Sequence, residues 1–324
     1  MFQSLFLCCF LLGPQYDLRV GTFNCEFMNR QKVHIKYGFP YMLENEDLAL
    51  WNQEGFREAR FQRAAAQVAR AIHKIGADVI VLTEAGPKDD VADLVRAVKE
   101  AGTEYPYFFV SDSTNASFQH VAVLSKFPME LIKDKIPGRA FYDPEPDDPE
   151  EEREAFVMKG IHVSVQAHGK TIHVIGTHLP SERNGHDQDT MRIAVAQLIR
   201  RYSYPIIESG AHVIIAGDLN DERGQPAIRM IRGKEDMYED LVQTGHISFF
   251  HPSEWKNRWT YMFKGQRNQL DQILISRSLL DACHTLEEGG IRGRVLPMDI
   301  QHKPSLEHLA TSDHKPFVLD FRFR

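Results

Sequence analysis

The chain has 324 residues, enough for a large buried core, with a hydrophobic content of 43% and a charged content of 26% that are ordinary for a globular protein. Its 38 Lys and Arg against 45 Asp and Glu give a formal net charge of −7, which argues against a generally basic surface that coats nucleic acid. A local basic face is compatible with this balance. The four cysteines, at positions 8, 9, 25 and 283, lack the spacing of a metal site or of a disulfide framework.

The first residues, MFQSLFLCCFLLG, contain an apolar run. Leu5 to Leu12 is long enough for the hydrophobic region of a signal peptide and too short to span a bilayer. The run has no preceding Lys or Arg and no clear small-residue cleavage site, so a packed leader or a misplaced start is the alternative. We expect residues 1–16 to be a leader or signal segment, and both a cytoplasmic and an exported location stay open. No other stretch predicts a membrane span, so we expect no stable membrane insertion.

From about Asp17 onward, strand-like and helix-like segments alternate without a linker, which predicts one α/β domain over residues 17–324. Helical composition, with a glycine stop signal just beyond each segment, predicts helices over Arg57–Ile75, Asp90–Ala101 and Thr190–Ile207. Runs rich in Val and Ile predict strands at Leu18–Asn24, Asp78–Thr83, Tyr107–Val110, His120–Leu124, Ala155–Gln166, Lys170–Gly176, His212–Ala216, Trp259–Phe263, Leu270–Ser276 and Phe317–Phe323.

Two stretches interrupt the alternation. Met28–Gly55 is rich in aromatic and charged residues, and we expect its aromatics to pack over the core. Tyr142–Glu154 is acidic and rich in proline, which predicts a solvated loop. A strand-helix-strand unit occurs once in each half of the chain, around Asn24–Glu84 and His178–Asp218, and suggests two similar layers packed face to face.

Polar side chains recur at the ends of the predicted strands. Four strands end in such a residue, as LRVGTFN at Asn24, DVIVLTE at Glu84, IHVIGTH at His178, and VIIAGDLND with Asp218 and Asn220. LDQILIS begins with Asp271, and TSDHKPFVLDF places Asp313 and His314 before the last strand. In layered α/β folds this edge of a sheet is where sites form. Carboxylates gathered there repel one another unless a cation binds, and oxygen ligands favour Mg²⁺ or Mn²⁺ over zinc.

Each of these residues also has an ordinary structural interpretation. Asn24 could cap a turn, Glu84 could form a salt bridge, and Asp218 with Asn220 could form an Asx turn. His178 could be a satisfied semi-buried histidine, and Asp313 a helix cap. Taken singly, the structural interpretation is favoured. Their common order, placement and chemistry favour a site.

As a set, the motifs TFN, LTE, THL, GDLND, LDQIL and SDH resemble those of the endonuclease/exonuclease/phosphatase superfamily of metal-dependent phosphoesterases, over nearly all of Leu18–Phe323. The resemblance implies an α/β (α+β) fold, a four-layer α-β-β-α sandwich of two packed mixed β-sheets. It also implies a hydrolase acting on phosphoric ester bonds, with Mg²⁺ or Mn²⁺ as cofactor and a phosphodiester, in the first instance nucleic acid, as substrate. A monomer is expected.

The resemblance assigns roles to individual residues. Glu84, Asn24 and Asp313 resemble the metal ligands. Asp218 resembles the residue that orients or deprotonates the attacking water, and Asn220 the residue that positions it. His314 resembles the histidine that holds a phosphoryl oxygen, with Asp271 as its carboxylate partner, and His178 resembles a second phosphate-facing histidine. A metal ion neutralises phosphate charge and a positioned carboxylate activates water, which fits these assignments.

Three functions remain open from the sequence. WTYMFKGQRNQLDQILIS and GDLNDERGQPAI resemble segments of bacterial secreted nucleases, which favours a nuclease. Lys159 stands where an Arg is frequent, and Gln272 where a His or Arg is common. The second function is a lipid or small-molecule phosphoesterase, for which the aromatics of Met28–Gly55 would supply an exposed surface. The third is a non-catalytic binding module, which the complete set of motif residues argues against.

Overall fold

The computed structural model describes residues 16–31, 45–112, 118–144, 152–181, 186–234, 236–238, 241–242, 247–250, 252–285, 288–298 and 311–324. The helices are α1 (Asn45–Trp51), α2 (Phe56–Ile75), α3 (Lys88–Glu100), α4 (His186–Glu208), α5 (Pro226–Arg232), α6 (Arg277–Asp281) and a 3₁₀ helix at Pro252–Asn257. The strands are β1 (Leu18–Met28), β2 (Val79–Ala85), β3 (Tyr107–Val110), β4 (His120–Ser125), β5 (Met129–Lys133), β6 (Ala140–Tyr142), β7 (Arg153–Ala155), β8 (Gly160–Ala167), β9 (Lys170–Thr177), β10 (His212–Asp218), β11 (Met237–Tyr238), β12 (Leu241–Val242), β13 (Ile247–Ser248), β14 (Tyr261–Phe263), β15 (Gln266–Asn268), β16 (Asp271–Ser276), β17 (Ile291–Val295) and β18 (Phe317–Phe321).

Two six-stranded mixed sheets form the centre of the molecule. Their strand orders are β17-β18-β1-β2-β4-β3 and β11-β16-β10-β9-β8-β5. Valine and isoleucine side chains from both sheets share one buried core, among them Val81, Val123, Val174 and Ile214. α2 and α3 cover the outer face of the first sheet, and α4 and α5 cover the outer face of the second. The predicted four-layer α-β-β-α sandwich is confirmed.

The strand-helix-strand units are also present. β1 and β2 are parallel neighbours that are connected through α2, and β9 and β10 are parallel neighbours that are connected through α4. Burial of an apolar stripe explains α2, because the predicted positions Phe61, Ala65, Val68 and Ile72 are all buried. The helix ends where Gly76 takes a left-handed conformation.

Several elements differ from the prediction. β8 begins at Gly160, five residues later than expected, because the chain first forms the short strand β7 and then turns. The edge strands β5 and β17 and the short helix α5 were not predicted. Within the predicted interruption Met28–Gly55, residues 32–44, including their aromatic residues, lie outside the described part of the chain. Trp51 lies in α1 and is buried against Leu50 and Phe56, as expected.

The expected leader and the domain boundary at residue 17 stay predictions, since residues 1–15 lie outside the described part. Within that part, each helix is either too short or too polar to cross a membrane.

Candidate active site

The two sheets bring the polar strand ends together at one edge of the sandwich. Asn24 and Glu84 lie near the carboxyl ends of the parallel strands β1 and β2. Asp218 is the last residue of β10, and His178 directly follows β9, the parallel neighbour of β10. β16 runs antiparallel to β10, so its first residue, Asp271, lies directly opposite Asp218. Parallel pairing and face-to-face packing therefore gather residues that are almost 250 positions apart in the chain.

The Asp218 carboxylate is the centre of this group. Its Oδ2 accepts a hydrogen bond of 2.9 Å from Asn24 Nδ2. The same oxygen lies 3.7 Å from His178 Nε2 and 3.9 Å from His314 Nε2, while Oδ1 accepts the backbone N–H of Asn220 at 2.9 Å. Burial, partly offset by His314, raises the pKa of Asp218 above its ordinary value. A buried carboxylate of raised basicity, aimed at two imidazoles, is suited to hold or remove a proton.

His314 and Asp271 form a close pair. His314 Nδ1 donates to Asp271 Oδ2 at 2.7 Å, and both side chains are buried. Burial opposes the charged imidazole, but the Asp271 and Asp218 carboxylates outweigh it and hold the pKa of His314 well above its ordinary value. The ring is therefore protonated at neutral pH. The carboxylate oxygens of Asp218 and Asp313 each lie 3.9 Å from Nε2, which is too far for a hydrogen bond. The Nε2–H can therefore donate to a substrate oxygen.

His178 differs from His314 because its imidazole ring is neutral. Burial, followed by the positive charges of Lys159 and His314, holds the pKa of His178 well below its ordinary value. Lys159 Nζ lies 3.0 Å from His178 Nδ1 and 3.0 Å from Gln119 Oε1, and burial lowers the lysine pKa to about 8. The lysine ammonium donates to Nδ1, so the neutral ring carries its proton on Nε2, the nitrogen that faces Asp218.

Backbone conformation at the strand ends is unusual. Glu84 and Asn220 have φ values of 55° and 47°, which few residues other than glycine adopt. Asn220 is held there by its side chain, whose Nδ2 donates to Leu179 O at 2.9 Å. Gly217 precedes Asp218, and a Cβ at that position would lie 1.8 Å from Thr177 O. Glycine is required so that the ends of β9 and β10 approach closely enough to place His178 beside Asp218.

The chemistry of the side chains fits a hard divalent cation near Glu84. Burial raises the pKa of Glu84, and the Asp313 carboxylate raises it further. Two neighbouring carboxylates of this kind are an oxygen donor set that Mg²⁺ or Mn²⁺ would stabilise. Asn24 Oδ1 accepts the Glu26 backbone N–H at 2.9 Å, and its Nδ2 faces Glu84 at 3.3 Å. Coordination by Asn24 would therefore need a half-turn of its amide, so its ligand role stays a prediction.

A second group, Asp218, Asp271 and His314, offers one donor atom each within 4.8 Å. A cation there would have to displace the proton with which His314 Nδ1 already bonds to Asp271. The oxygen-only group at Glu84 and Asp313 is the better fit, because it needs no such exchange.

Several residues that support the site were not predicted from the sequence. Ser312 Oγ donates to Asn24 O at 2.7 Å and accepts the His314 backbone N–H at 2.9 Å, which ties the SDH loop to β1. Thr260 Oγ1 accepts the Asp271 N–H at 3.1 Å, and the Tyr261 ring stacks on His314 at 4.7 Å. Ser312 and Tyr261 belong to the quoted motifs SDH and WTYMF, so their position in these motifs was an available signal.

Comparison with known proteins agrees with this architecture. A model of the Endonuclease/Exonuclease/phosphatase family matches residues 49–314. The chain belongs to this family. As its name states, the family includes endonucleases, exonucleases and phosphatases, all of which act on phosphoester bonds.

Several known proteins are similar to this chain in sequence or in fold. The chain is 28% identical over 225 residues to phospholipase C of Staphylococcus aureus, a match that spans 62% of this chain and 62% of the relative. A beta toxin variant from Staphylococcus aureus with bound magnesium ions has a TM-score of 0.57 at 18% identity, over 94% of this chain and 100% of that chain. Sphingomyelinase C from Streptomyces griseocarneus gives 0.56 at 18% identity, over 94% and 99%. Truncated TDP2 from Caenorhabditis elegans gives 0.54 at 14% identity, over 95% and 98%. These structures share the fold.

Proposed function

We propose that this protein is a divalent-metal-dependent phosphodiester hydrolase in which water attacks phosphorus directly. One observation carries the proposal: the buried Asp218 carboxylate lies between a protonated His314–Asp271 pair and a neutral His178, beside the carboxylates of Glu84 and Asp313. This arrangement offers a base, two N–H hydrogen-bond donors and an oxygen-rich cation site around one small space.

The residues divide the chemistry between them. Asp218 orients the attacking water and accepts its proton, and Asn220 positions that water against the phosphate. As the new phosphorus–oxygen bond forms, the bond to the ester leaving oxygen breaks, and this oxygen takes up a proton from solvent. His314 donates Nε2–H to a phosphoryl oxygen and stabilises the charge that develops in the transition state, while Asp271 holds its ring. The neutral His178 ring donates a hydrogen bond from Nε2–H to the phosphate. When bound at Glu84 and Asp313, Mg²⁺ or Mn²⁺ would neutralise phosphate charge and polarise the phosphorus–oxygen bond.

Nucleic acid is the first candidate substrate. The segment from Trp259 to Ser276 and the segment that follows Asp218 resemble those of bacterial secreted nucleases. A lipid phosphodiester is the second candidate, and the 28% identity to a phospholipase C supports it. Two exposed apolar side chains near the site also fit a lipid substrate. Phe118 and Met158 expose 49% and 37% of their surfaces, and they directly precede Gln119 and Lys159, which contact each other beside His178.

The decisive experiment measures hydrolysis of four substrates by the purified protein: bis(p-nitrophenyl) phosphate, an oligodeoxynucleotide, sphingomyelin vesicles and p-nitrophenyl phosphate. Each is tested with Mg²⁺, with Mn²⁺ and with excess chelator. We expect metal-dependent cleavage of the diesters, and in Asp218→Asn a fall in kcat on the order of a hundredfold with little change in KM. Asp221→Asn, three residues after Asp218 in the chain and bonded to backbone N–H groups, is the matched control for loss of a neighbouring carboxylate.

Full diester hydrolysis in excess chelator, or kcat close to that of the wild type in Asp218→Asn, would refute the proposal. Cleavage of sphingomyelin without cleavage of the oligonucleotide would assign the protein to the lipid candidate.

A further inference from the structure

Three cationic side chains gather at the hairpin formed by β14 and β15 and at the residue after His314. Lys315 Nζ lies 3.1 Å from the centre of the Trp259 ring, and the Arg267 guanidinium carbon lies 5.0 Å from the same centre. Lys264, at the hairpin turn, has its Nζ 5.3 Å from the centre of the Phe263 ring. We call Lys264, Arg267, Lys315, Trp259 and Phe263 the basic–aromatic cluster.

This cluster is continuous with the reaction site. Lys315 directly follows His314, and its backbone N–H donates to Thr260 O at 2.7 Å. Thr260 lies between Trp259 and Tyr261, and the Tyr261 ring stacks on the His314 imidazole. An anion bound between Lys315 and Arg267 would thus lie on the same backbone segments that position His314.

The charges of the cluster are not neutralised by acidic partners in the described part of the chain. Arg19, Arg30 and Arg200 each form ion pairs with aspartate there, whereas Lys264, Arg267 and Lys315 form none with the residues whose placement is described. Burial and the neighbouring Arg267 charge lower the pKa of Lys315, as expected for cations without a counter-ion. In a chain of net charge −7, such a patch is a local exception.

We propose that the basic–aromatic cluster is a docking site for a nucleic-acid strand, with Arg267 and Lys315, held against the Trp259 ring, on the phosphate next to the scissile one and the exposed Phe263 ring against a base. This inference rests on the proposed phosphodiesterase function and names its substrate class. Single-stranded nucleic acid is bound by cations that follow its backbone and by aromatic faces on which bases stack, and Phe263 exposes 49% of its surface. A phospholipid with a single phosphate has no second phosphate for these cations.

The test compares Arg267→Gln, Lys315→Gln and the conservative variants Arg267→Lys and Lys315→Arg with the wild type. Binding of a short fluorescein-labelled oligodeoxynucleotide is measured by anisotropy in chelator, across a series of salt concentrations. Each lost cation should lower the slope of log affinity against log salt by about 0.7, which corresponds to about fivefold weaker binding near 0.1 M salt. The conservative variants should retain most of the affinity.

Lys74→Gln is the matched control, because it removes an exposed lysine from the last turn of α2, at the opposite edge of the first sheet. Hydrolysis of bis(p-nitrophenyl) phosphate, which has no second phosphate, is the second readout. Its kcat/KM should stay within about twofold of the wild type in Arg267→Gln, since the cluster acts on the neighbouring phosphate only.

Each alternative result overturns the inference. Unchanged affinity and salt slope in both Gln variants would show that the strand does not contact the cluster. Equal losses on oligonucleotide binding and on bis(p-nitrophenyl) phosphate hydrolysis would show a structural role only. In either case metal-dependent diester hydrolysis by the wild type would leave the proposed function intact, whereas absence of that hydrolysis would reject the proposed function itself.

Discussion

Two carboxylates face each other across neighbouring antiparallel strands at this site, and one imidazole lies between them. Asp218 and Asp271 are direct cross-strand partners, and two like charges in such positions destabilise a sheet. The His314 ring offsets the repulsion, since Nδ1 bonds to Asp271 and Nε2 faces Asp218. The raised pKa of His314 is thus a consequence of where the strands place the two acids.

The Asp271–His314 pair predicts a pH dependence. The phosphate-binding ring is the protonated one, which is present below the raised pKa of His314 and lost as pH rises through it. Asp271→Asn removes the second-largest cause of this pKa and the largest of those that raise it. The alkaline limb of kcat should therefore move to lower pH by about one unit or more. The measurement is kcat against pH for both proteins with saturating metal; an alkaline limb at the same pH in both would mean that Asp271 does not tune His314.

Lys159 is predicted to fix the tautomer of His178. Lys159→Met removes the donor to Nδ1, so the neutral ring can place its proton on either nitrogen, and kcat should fall about tenfold or more. Nitrogen-15 chemical shifts of the histidine ring would show one tautomer in the wild type and a mixture in the variant. Lys159→Arg should restore much of the activity. A single unchanged tautomer in Lys159→Met would remove Lys159 from this role.

At the scale of elements, sequence patterns anticipated those residues whose chemistry and strand-end position coincide. Asn24, Glu84, Asp218 and Asp271 were singled out as candidates because each ends or begins a predicted strand, and the structure places these four side chains at one edge. The contact of Lys159 with His178 could not be predicted, because it depends on the turn that delays β8 to Gly160. The edge strand β5 was missed because its sequence, MELIK, is short and its alternation of apolar and polar residues stops at Ile132 and Lys133.

A partly buried series of hydrogen-bonded side chains connects helix α4 to the second sheet. Tyr202 on α4 bonds through its hydroxyl to His162 Nδ1 at 2.7 Å, and His162 Nε2 lies 3.0 Å from His173 Nδ1 on β9. Burial, with the neighbouring His173, lowers the pKa of His162 to about 4. The folded protein therefore keeps this ring neutral where the unfolded chain would protonate it.

The lowered pKa of His162 predicts that the folded protein loses stability in acid. As pH falls from the ordinary histidine pKa of 6.5 to about 4, the unfolded state binds the proton first, and stability falls by on the order of 3 kcal/mol. Above that window the effect is absent. In His162→Gln the free energy of unfolding from urea titrations should vary less between these pH values, whereas His168→Gln, an exposed control, should behave like the wild type. Equal pH dependence in all three proteins would contradict this account of α4 packing.

At the scale of the whole molecule, the site lies where two similar halves meet. β1, α2 and β2 bring Asn24 and Glu84 to the edge, and β9, α4 and β10 bring His178 and Asp218. Because the sheets pack face to face with these edges aligned, neither half holds the complete set. Ligands that bridge the edge should therefore stabilise the assembly of the two sheets as well as the reaction.

Metal binding is expected to change global stability in a way that depends on Glu84. Burial and the Asp313 charge raise the Glu84 pKa, so its ionised form costs stability at neutral pH without metal. Mg²⁺ or Mn²⁺ at about a hundredfold excess over Kd should raise Tm by about 5 °C, since binding to the folded state alone adds about 2.7 kcal/mol. Glu84→Gln keeps the shape and removes the charge. Its Tm in chelator should equal or exceed that of the wild type, while its rise with metal should shrink. Differential scanning fluorimetry of both proteins, in chelator and across a metal titration, measures the two effects separately. A wild type whose Tm ignores metal, or a Glu84→Gln variant with the full rise, would place the cation elsewhere than beside Glu84.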